Sequence, residues 1–188
     1  MLDRRAVVNR LLARRGDDLV IAGLGAPAWD VAAAGSDDRN FYLWGGMGGA
    51  AMVGLGLALA RPERRVRVVT GDGEMLMGLG SLATIAQLRP RNLAIIVLDN
   101  GRFGETGMQP SHTAGVTQLV GVARACGFPL TFDVESEQAL EECADAIHDA
   151  VDLMFARIGI APDAPPRVLP ERDGVQLKKR FRAALGLG

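Results

Sequence analysis

Five short runs of the chain, LVIAG at 19–23, VRVVT at 66–70, LAIIVLD at 93–99, LTFDV at 130–134 and DLMFARI at 152–158, are predominantly apolar on both faces that a β-strand presents. A strand with one polar face can lie on the outside of a sheet, but strands of this kind need cover on both sides. Helical stretches separate them, roughly at 27–34, 48–60, 74–88, 117–126 and 136–150, and a last one follows near 175–185. Strand, crossover helix and parallel strand in repetition is the arrangement that supplies such cover. The pattern predicts an α/β fold, an open and mostly parallel sheet with helices on both faces, in a single domain spanning 1–188. Pro90, Gly127 and the Pro162 to Pro170 region supply the stops. The last of these is a proline-rich connector near 161–170 that leads into a C-terminal basic helix.

Composition narrows the partners. With 48% hydrophobic and 23% charged residues, 188 residues suffice for one domain with a full core. A formal net charge of −1 and a pI near 6.1 provide no field to draw nucleic acid or anionic lipid. The small basic clusters at Arg61–Arg67 and Lys178–Arg182 read as solvated faces. The N-terminus MLDRRAVVNRLLARRG is an amphipathic helix candidate rather than a signal peptide, and no apolar run reaches the ~18 residues of a membrane span. A cytoplasmic protein is expected. Cys126 and Cys143 stand apart without CxxC spacing, so they offer neither zinc nor cluster ligation and read as small core residues.

The chemistry concentrates in GDGEMLMGLGSLATIAQLRPRNLAIIVLDN at 71–100. In an open parallel sheet, ligands bind beyond the carboxyl ends of the strands, and both Asp72 and Asn100 fall there. Two hard oxygen donors from separate strand ends suit Mg²⁺, which accepts few protein ligands and completes its shell with phosphate and water oxygens. The Gly71-Asp72-Gly73 turn allows close backbone approach, and the helix that follows aims free N–H groups at the same place, as a diphosphate requires. Taken singly, GDG is also a common turn and Asp-Asn a common loop cap. The glycines at 45, 46, 48, 49, 54 and 56 also read as close helix packing. The G-x-G of IAGLGAPAWD at 21–30 is a weak dinucleotide signal, since Ala28 stands where a third glycine belongs and Pro27 interrupts the loop.

Taken together, GDG and a downstream Asn, each closing an apolar strand with a helix between, resemble the signature of thiamine diphosphate enzymes, in their diphosphate-binding domain. The resemblance implies that Asp72 and the Asn100 side chain hold Mg²⁺ with the main-chain carbonyl of Arg102, and that amides of Gly73, Glu74, Phe103 and Gly104 hold the diphosphate. Many relatives place Ser or Thr at the position of Glu74 to bond phosphate. A glutamate would repel it, so only the backbone role carries over. WGGMGGAAMVGLGLALA is similar to the segment that receives the aminopyrimidine, with Gly45 offering its carbonyl to the exocyclic amine and Met47 pressed between the rings. Gly25 lies in a turn that the family keeps near the diphosphate.

Relatives also need a glutamate that activates the pyrimidine, carried by a separate domain of ~150 or more residues for which this chain has no room. A beta subunit is therefore implied, in a hetero-oligomer such as a heterotetramer or larger, whose alpha partner supplies the pyrimidine-binding half. Among split members the stretches GDGEMLMGLGSLATIAQL, LDNGRFGETGMQPSHTAGV, ARACGF and KKRFRAALG are most similar to sulfopyruvate decarboxylase beta subunits and to the C-terminal half of phosphonopyruvate decarboxylases. That implies decarboxylation of a small 2-oxoacid to an aldehyde and CO₂. In the polar loop 105–113, Gln109, Ser111 and His112 either contact an anionic tail or shuttle a proton, with His112 the catalytic candidate, or form an ordinary ordered surface loop. His148 reads as a surface residue. A split carboligase of acetolactate synthase type is the alternative within the cofactor class, and a nucleotide-binding oxidoreductase or a non-catalytic module outside it. The lack of paired cysteines argues against the beta chain of a ferredoxin-linked oxidoreductase.

Overall fold

The computed structural model describes residues 1–149 and 152–188. In chain order the elements are α1 (Arg4–Leu12), β1 (Leu19–Ala22), α2 (Ala26–Ala33), β2 (Asn40–Tyr42), α3 (Ala50–Ala60), β3 (Val66–Gly71), α4 (Asp72–Met77), α5 (Ser81–Leu88), β4 (Leu93–Asp99), β5 (Arg102–Phe103), β6 (Gln109–Pro110), α6 (Leu119–Cys126), β7 (Leu130–Val134), α7 (Glu137–Asp149), β8 (Met154–Gly159) and α8 (Gly174–Ala184). Six strands form one sheet in the order β2-β1-β3-β4-β8-β7, every pairing parallel. β5 and β6 make a separate two-stranded hairpin.

Alternation along each strand sorts its side chains into two cores. Val20, Ala22, Val69, Ile96, Leu98, Ala156 and Ile158 face the layer of α1, α2 and α7, where Val7, Val8, Leu11, Val31, Leu140, Cys143 and Ile147 cover them. Leu19, Ile21, Val66, Val68, Ile95, Val97 and Phe155 face α3, α5 and α6 through Ala51, Leu55, Leu82, Ile85, Leu119 and Ala123. α8 covers the β2 edge, its Phe181 ring meeting Phe41 edge-on at 5.3 Å between centroids. Covering that edge removes a row of unpaired backbone groups from solvent. Asp3 starts α1 by accepting from the Ala6 amide at 2.7 Å, and Asp173 starts α8 by accepting from Val175 at 2.8 Å, each satisfying a free first-turn donor.

Three features differ from the sequence expectation. The stretch at 74–88 is two helices, because the main chain of Gly48 packs directly on Gly78: a Cβ there would lie 2.3 Å from the Gly48 carbonyl oxygen. Continuing the helix through this point would drive the two backbones together. Arg67, read as part of a solvated basic cluster, is only 1% exposed. It sits on β3 near the edge of the core, where Asp18 accepts from its Nε at 2.5 Å and the Leu11 carbonyl accepts from Nη1, so its charge is paired rather than hydrated. β2 was not expected. The predicted end of the 136–150 helix lies outside the described residues, and the part that is described runs to Asp149. Residues 161–173 carry no helix or strand, and no helix among the described residues is long and apolar enough to cross a membrane.

Candidate active site

The strand order determines where a ligand can enter. From β1 the chain steps outward to β2, then returns to place β3 on the other side of β1. The loops leaving β1 and β3 therefore diverge and leave a crevice beyond their carboxyl ends. A cavity of about 440 Å³ occupies that place. Its walls are the loop after β1 (Leu24, Gly25), the start of α2 (Ala26, Pro27, Trp29), the β3–α4 turn (Gly71 to Glu74), the segment after β4 (Asn100, Arg102 to Thr106) and Met47. The segment 163–167 and the start of α1 close its far side. Arg5 donates to the Pro166 carbonyl, and the Arg167 guanidinium lies over the Trp29 ring at 4.4 Å.

Of the residues singled out from the sequence, Gly25, Met47, Asp72, Gly73, Glu74, Asn100, Arg102, Phe103 and Gly104 all line this cavity. Gly45 and His112 do not line it. The His112 ring is stacked edge-on against Phe103, centroids 6.0 Å apart.

Asp72 is 3% exposed. No cation among the described residues pairs with it. Burial raises its pKa, and the nearby Asp99 adds to the rise, while the Ser111 hydroxyl opposes it. Ser111 Oγ donates to Asp72 Oδ2, and Thr113 Oγ1 lies 2.8 Å from Ser111 Oγ and 2.7 Å from Asp99 Oδ1. Asp99 is in turn held by Arg157 Nε at 2.7 Å. The charge of Asp99 is thus neutralised by protein, whereas that of Asp72 is not. Asp72 is thus a buried carboxylate on the cavity wall that neutral donors, and no cation among the described residues, approach.

Asn100 follows β4 directly, and its Oδ1 accepts from the Arg102 amide at 3.0 Å, which bends the chain back toward the hairpin. In that hairpin Arg102 opposes Pro110 and Phe103 opposes Gln109, and the Ser111 amide closes on the Gly101 carbonyl at 2.9 Å. This closure returns Ser111 to Asp72. Ser111 is therefore buried and bonded to an acid. Gln109 is tied to its own turn, donating from Nε2 to the Thr106 carbonyl at 2.8 Å. Nothing in the sequence signals that Ser111 and Thr113 bracket Asp72 and Asp99, since a two-residue hairpin is too short to read.

Glu74 is also 3% exposed, and its carboxylate is spent inside the protein. Oε2 accepts from Thr70 Oγ1 at 2.7 Å and from the Leu24 amide at 3.1 Å; Oε1 accepts from the Ala50 amide at 3.4 Å. Its backbone remains in the first turn of α4 on the cavity wall, where the N–H groups have no intrahelical partner.

Residues 32–158 match the family model described as thiamine pyrophosphate enzyme, C-terminal TPP binding domain. The chain is 34% identical over 183 residues to the sulfopyruvate decarboxylase subunit beta of Methanocaldococcus jannaschii, covering 95% of each. It is 38% identical over 189 residues to the phosphonopyruvate decarboxylase of Streptomyces viridochromogenes, covering 96% of this chain and 45% of that protein. Among solved structures, the thiamine diphosphate-dependent 4-hydroxybenzoylformate decarboxylase of Rhodococcus jostii RHA1 shares the fold at a TM-score of 0.70 and 22% identity, covering 86% of this chain and 33% of that one.

Proposed function

The chain belongs to the thiamine pyrophosphate enzymes through their C-terminal TPP-binding domain, and on that premise we propose that it is the beta subunit of a split thiamine diphosphate- and Mg²⁺-dependent 2-oxoacid decarboxylase. Its substrate would be a small 2-oxoacid of the sulfopyruvate or phosphonopyruvate type, and its products an aldehyde and CO₂. The observation that carries this reading is Asp72, a desolvated carboxylate at the switch point of the sheet with no cation among the described residues to meet it.

The donor set fits the group. Asp72, the Asn100 side-chain oxygen and the Arg102 carbonyl would hold Mg²⁺, a hard ion that two or three protein oxygens and a diphosphate satisfy. Amides of Gly73, Glu74, Phe103 and Gly104 would hold the diphosphate, with Gly25 on the facing loop. When bound, thiamine diphosphate supplies the electron sink that accepts the pair left by departing CO₂. The chain's own part is to fix position and exclude water. Met47 would pack between the two rings and Gly45 would accept from the exocyclic amine, both at the entrance of α3. His112 receives no step in this proposal, its ring being packed edge-on against Phe103.

A partner is supported by α3. No charged residue occurs from Phe41 to Ala60, yet Met52, Val53 and Leu59 on α3 are exposed, as is Met77 beside it. An uncharged helix with an apolar outer face is a surface for another subunit. In this reading that subunit is the alpha chain carrying the pyrimidine-binding half and the activating glutamate, and the assembly works in the cytoplasm.

The test is CO₂ release by the chain assembled with such a partner, over a panel of 2-oxoacids with thiamine diphosphate and Mg²⁺. Release from a three-carbon 2-oxoacid bearing a second anionic group, with one aldehyde formed per CO₂, is the expected result. Carbon–carbon ligation in place of free aldehyde would overturn the decarboxylase assignment. Met47 provides a sharper measurement within the same assay. Met47→Leu should be tolerated, whereas Met47→Ala should lower turnover per bound cofactor by more than about tenfold through lost alignment of the reacting groups. An Ala variant with normal turnover per bound cofactor would reduce Met47 to packing.

A further inference from the structure

Glu74 stands where the resemblance leaves no use for a side chain, and its carboxylate is nevertheless among the most fully bonded acids of the molecule. We propose that Glu74 is a positioning residue: its carboxylate ties together the three main-chain segments that wall the cofactor cavity and holds them at the spacing the cofactor needs. The inference rests on the cofactor assignment above and adds to it a role for a residue that does not itself touch the diphosphate through its side chain.

The three segments come from different parts of the chain. Leu24 belongs to the loop leaving β1, Thr70 to the end of β3, and Ala50 to the first turn of α3, three residues beyond Met47. Two N–H groups and one hydroxyl converge on the two oxygens of Glu74. A carboxylate accepts all of them at once on two oxygens, whereas a serine offers a single oxygen with two lone pairs and an alanine offers no acceptor. The Ala50 amide is a free donor of a helix start, which favours a negative charge there.

A second observation, independent of those bonds, is the absence of a side chain at Gly23. A Cβ built there would lie 1.8 Å from Glu74 Oε2 and 3.0 Å from Thr70 Oγ1. Gly23 thus leaves the volume that the carboxylate fills, and a methyl group at 23 could be accommodated only by evicting Glu74 from its donors. Glycine at 23 and glutamate at 74 are two halves of one contact.

The test is a double-mutant cycle on Gly23→Ala and Glu74→Ala, with Glu74→Gln as the conservative variant. Affinity for magnesium thiamine diphosphate is measured by calorimetry on the full chain assembled with its partner, and thermal unfolding is followed on the chain without cofactor. Each single Ala variant should weaken cofactor binding roughly tenfold in the folded protein, and the double variant should be no weaker than Glu74→Ala, because both lesions remove the same tie. Glu74→Gln, which keeps one acceptor oxygen, should recover part of the loss. A purely structural Glu74 would lower the unfolding temperature and leave the affinity of the folded chain unchanged, and that result overturns the proposal, as does a double variant showing the product of the two single effects. Should Glu74→Ala fail to fold, Gly23→Ala and Glu74→Gln carry the same decision. Wild-type protein that binds no magnesium thiamine diphosphate would instead remove the cofactor assignment, which keeps the two failures distinguishable.

Discussion

Asp72→Ala is expected to cut the affinity of the assembled complex for magnesium thiamine diphosphate by at least ~100-fold, with Asn100→Ala close behind, because each removes one of very few protein oxygens available to the ion. The apo protein should behave in the opposite sense. Asp72 is buried without a cation among the described residues, and burial raises its pKa, so its charged form is a cost to the empty fold that the Ser111 and Thr113 hydroxyls offset only in part. Removing it should leave the unfolding temperature of the apo chain unchanged or higher, even though Ser111 loses an acceptor. Calorimetry on the complex and thermal unfolding of the apo chain separate these effects. Unchanged cofactor affinity in both variants would end the magnesium assignment.

No CO₂ should be released when the 188-residue chain is incubated alone with thiamine diphosphate, Mg²⁺ and 2-oxoacid, and turnover should rise to ~1 s⁻¹ or more when a pyrimidine-binding partner is added. The acids that line the cavity explain why. Activation of the cofactor's ring needs an acid free to bond it, and Asp72 is reserved for the metal in our reading. Glu74 is bonded to Thr70, Leu24 and Ala50. Asp30 is paired with Arg4 at 2.8 Å. Glu105 and Asp163 also line the cavity, but both are open to solvent, where a carboxylate keeps its ordinary hydration. On our proposal, the activating glutamate is therefore the partner's. Appreciable CO₂ release by the purified chain, with its mass confirmed and no second polypeptide present, would refute the divided site.

The central strands could be read because burial on both faces leaves a run of apolar residues that no other short element needs, and Asp72 and Asn100 could be read because each directly follows such a run. β2 could not, since three residues, Asn40–Tyr42, are too few to show a period. The break at Gly78 and the burial of Arg67 depend on partners distant in sequence, Gly48 in one case and Asp18 with Leu11 in the other. Glu74 is the clearest instance. Its local setting in GDGEM suggests repulsion from phosphate, while its true partners at Leu24 and Ala50 lie on loops that only the folded sheet brings near. Local pattern reveals which residues stand at a strand end; it does not reveal where their side chains turn.

The sheet has no hairpin among its six strands. Leu19 pairs with Val66, Val66 with Leu93, and Ala94 with Met154, so each central pairing closes a long loop before any contact rewards it. Such a topology is expected to fold slowly, since few of its strand pairings are local. The crevice has the same dependence, for the residues at 24, 72 and 100 become neighbours only when β1, β3 and β4 are all in register. No sheet lacking any of these three strands presents the site, so a ligand that occupies it engages only chains whose sheet centre is fully assembled. Occupancy then adds its full binding free energy to the global unfolding equilibrium rather than to one loop, and in a cell the saturated protein would be sheltered from proteases that attack the open chain.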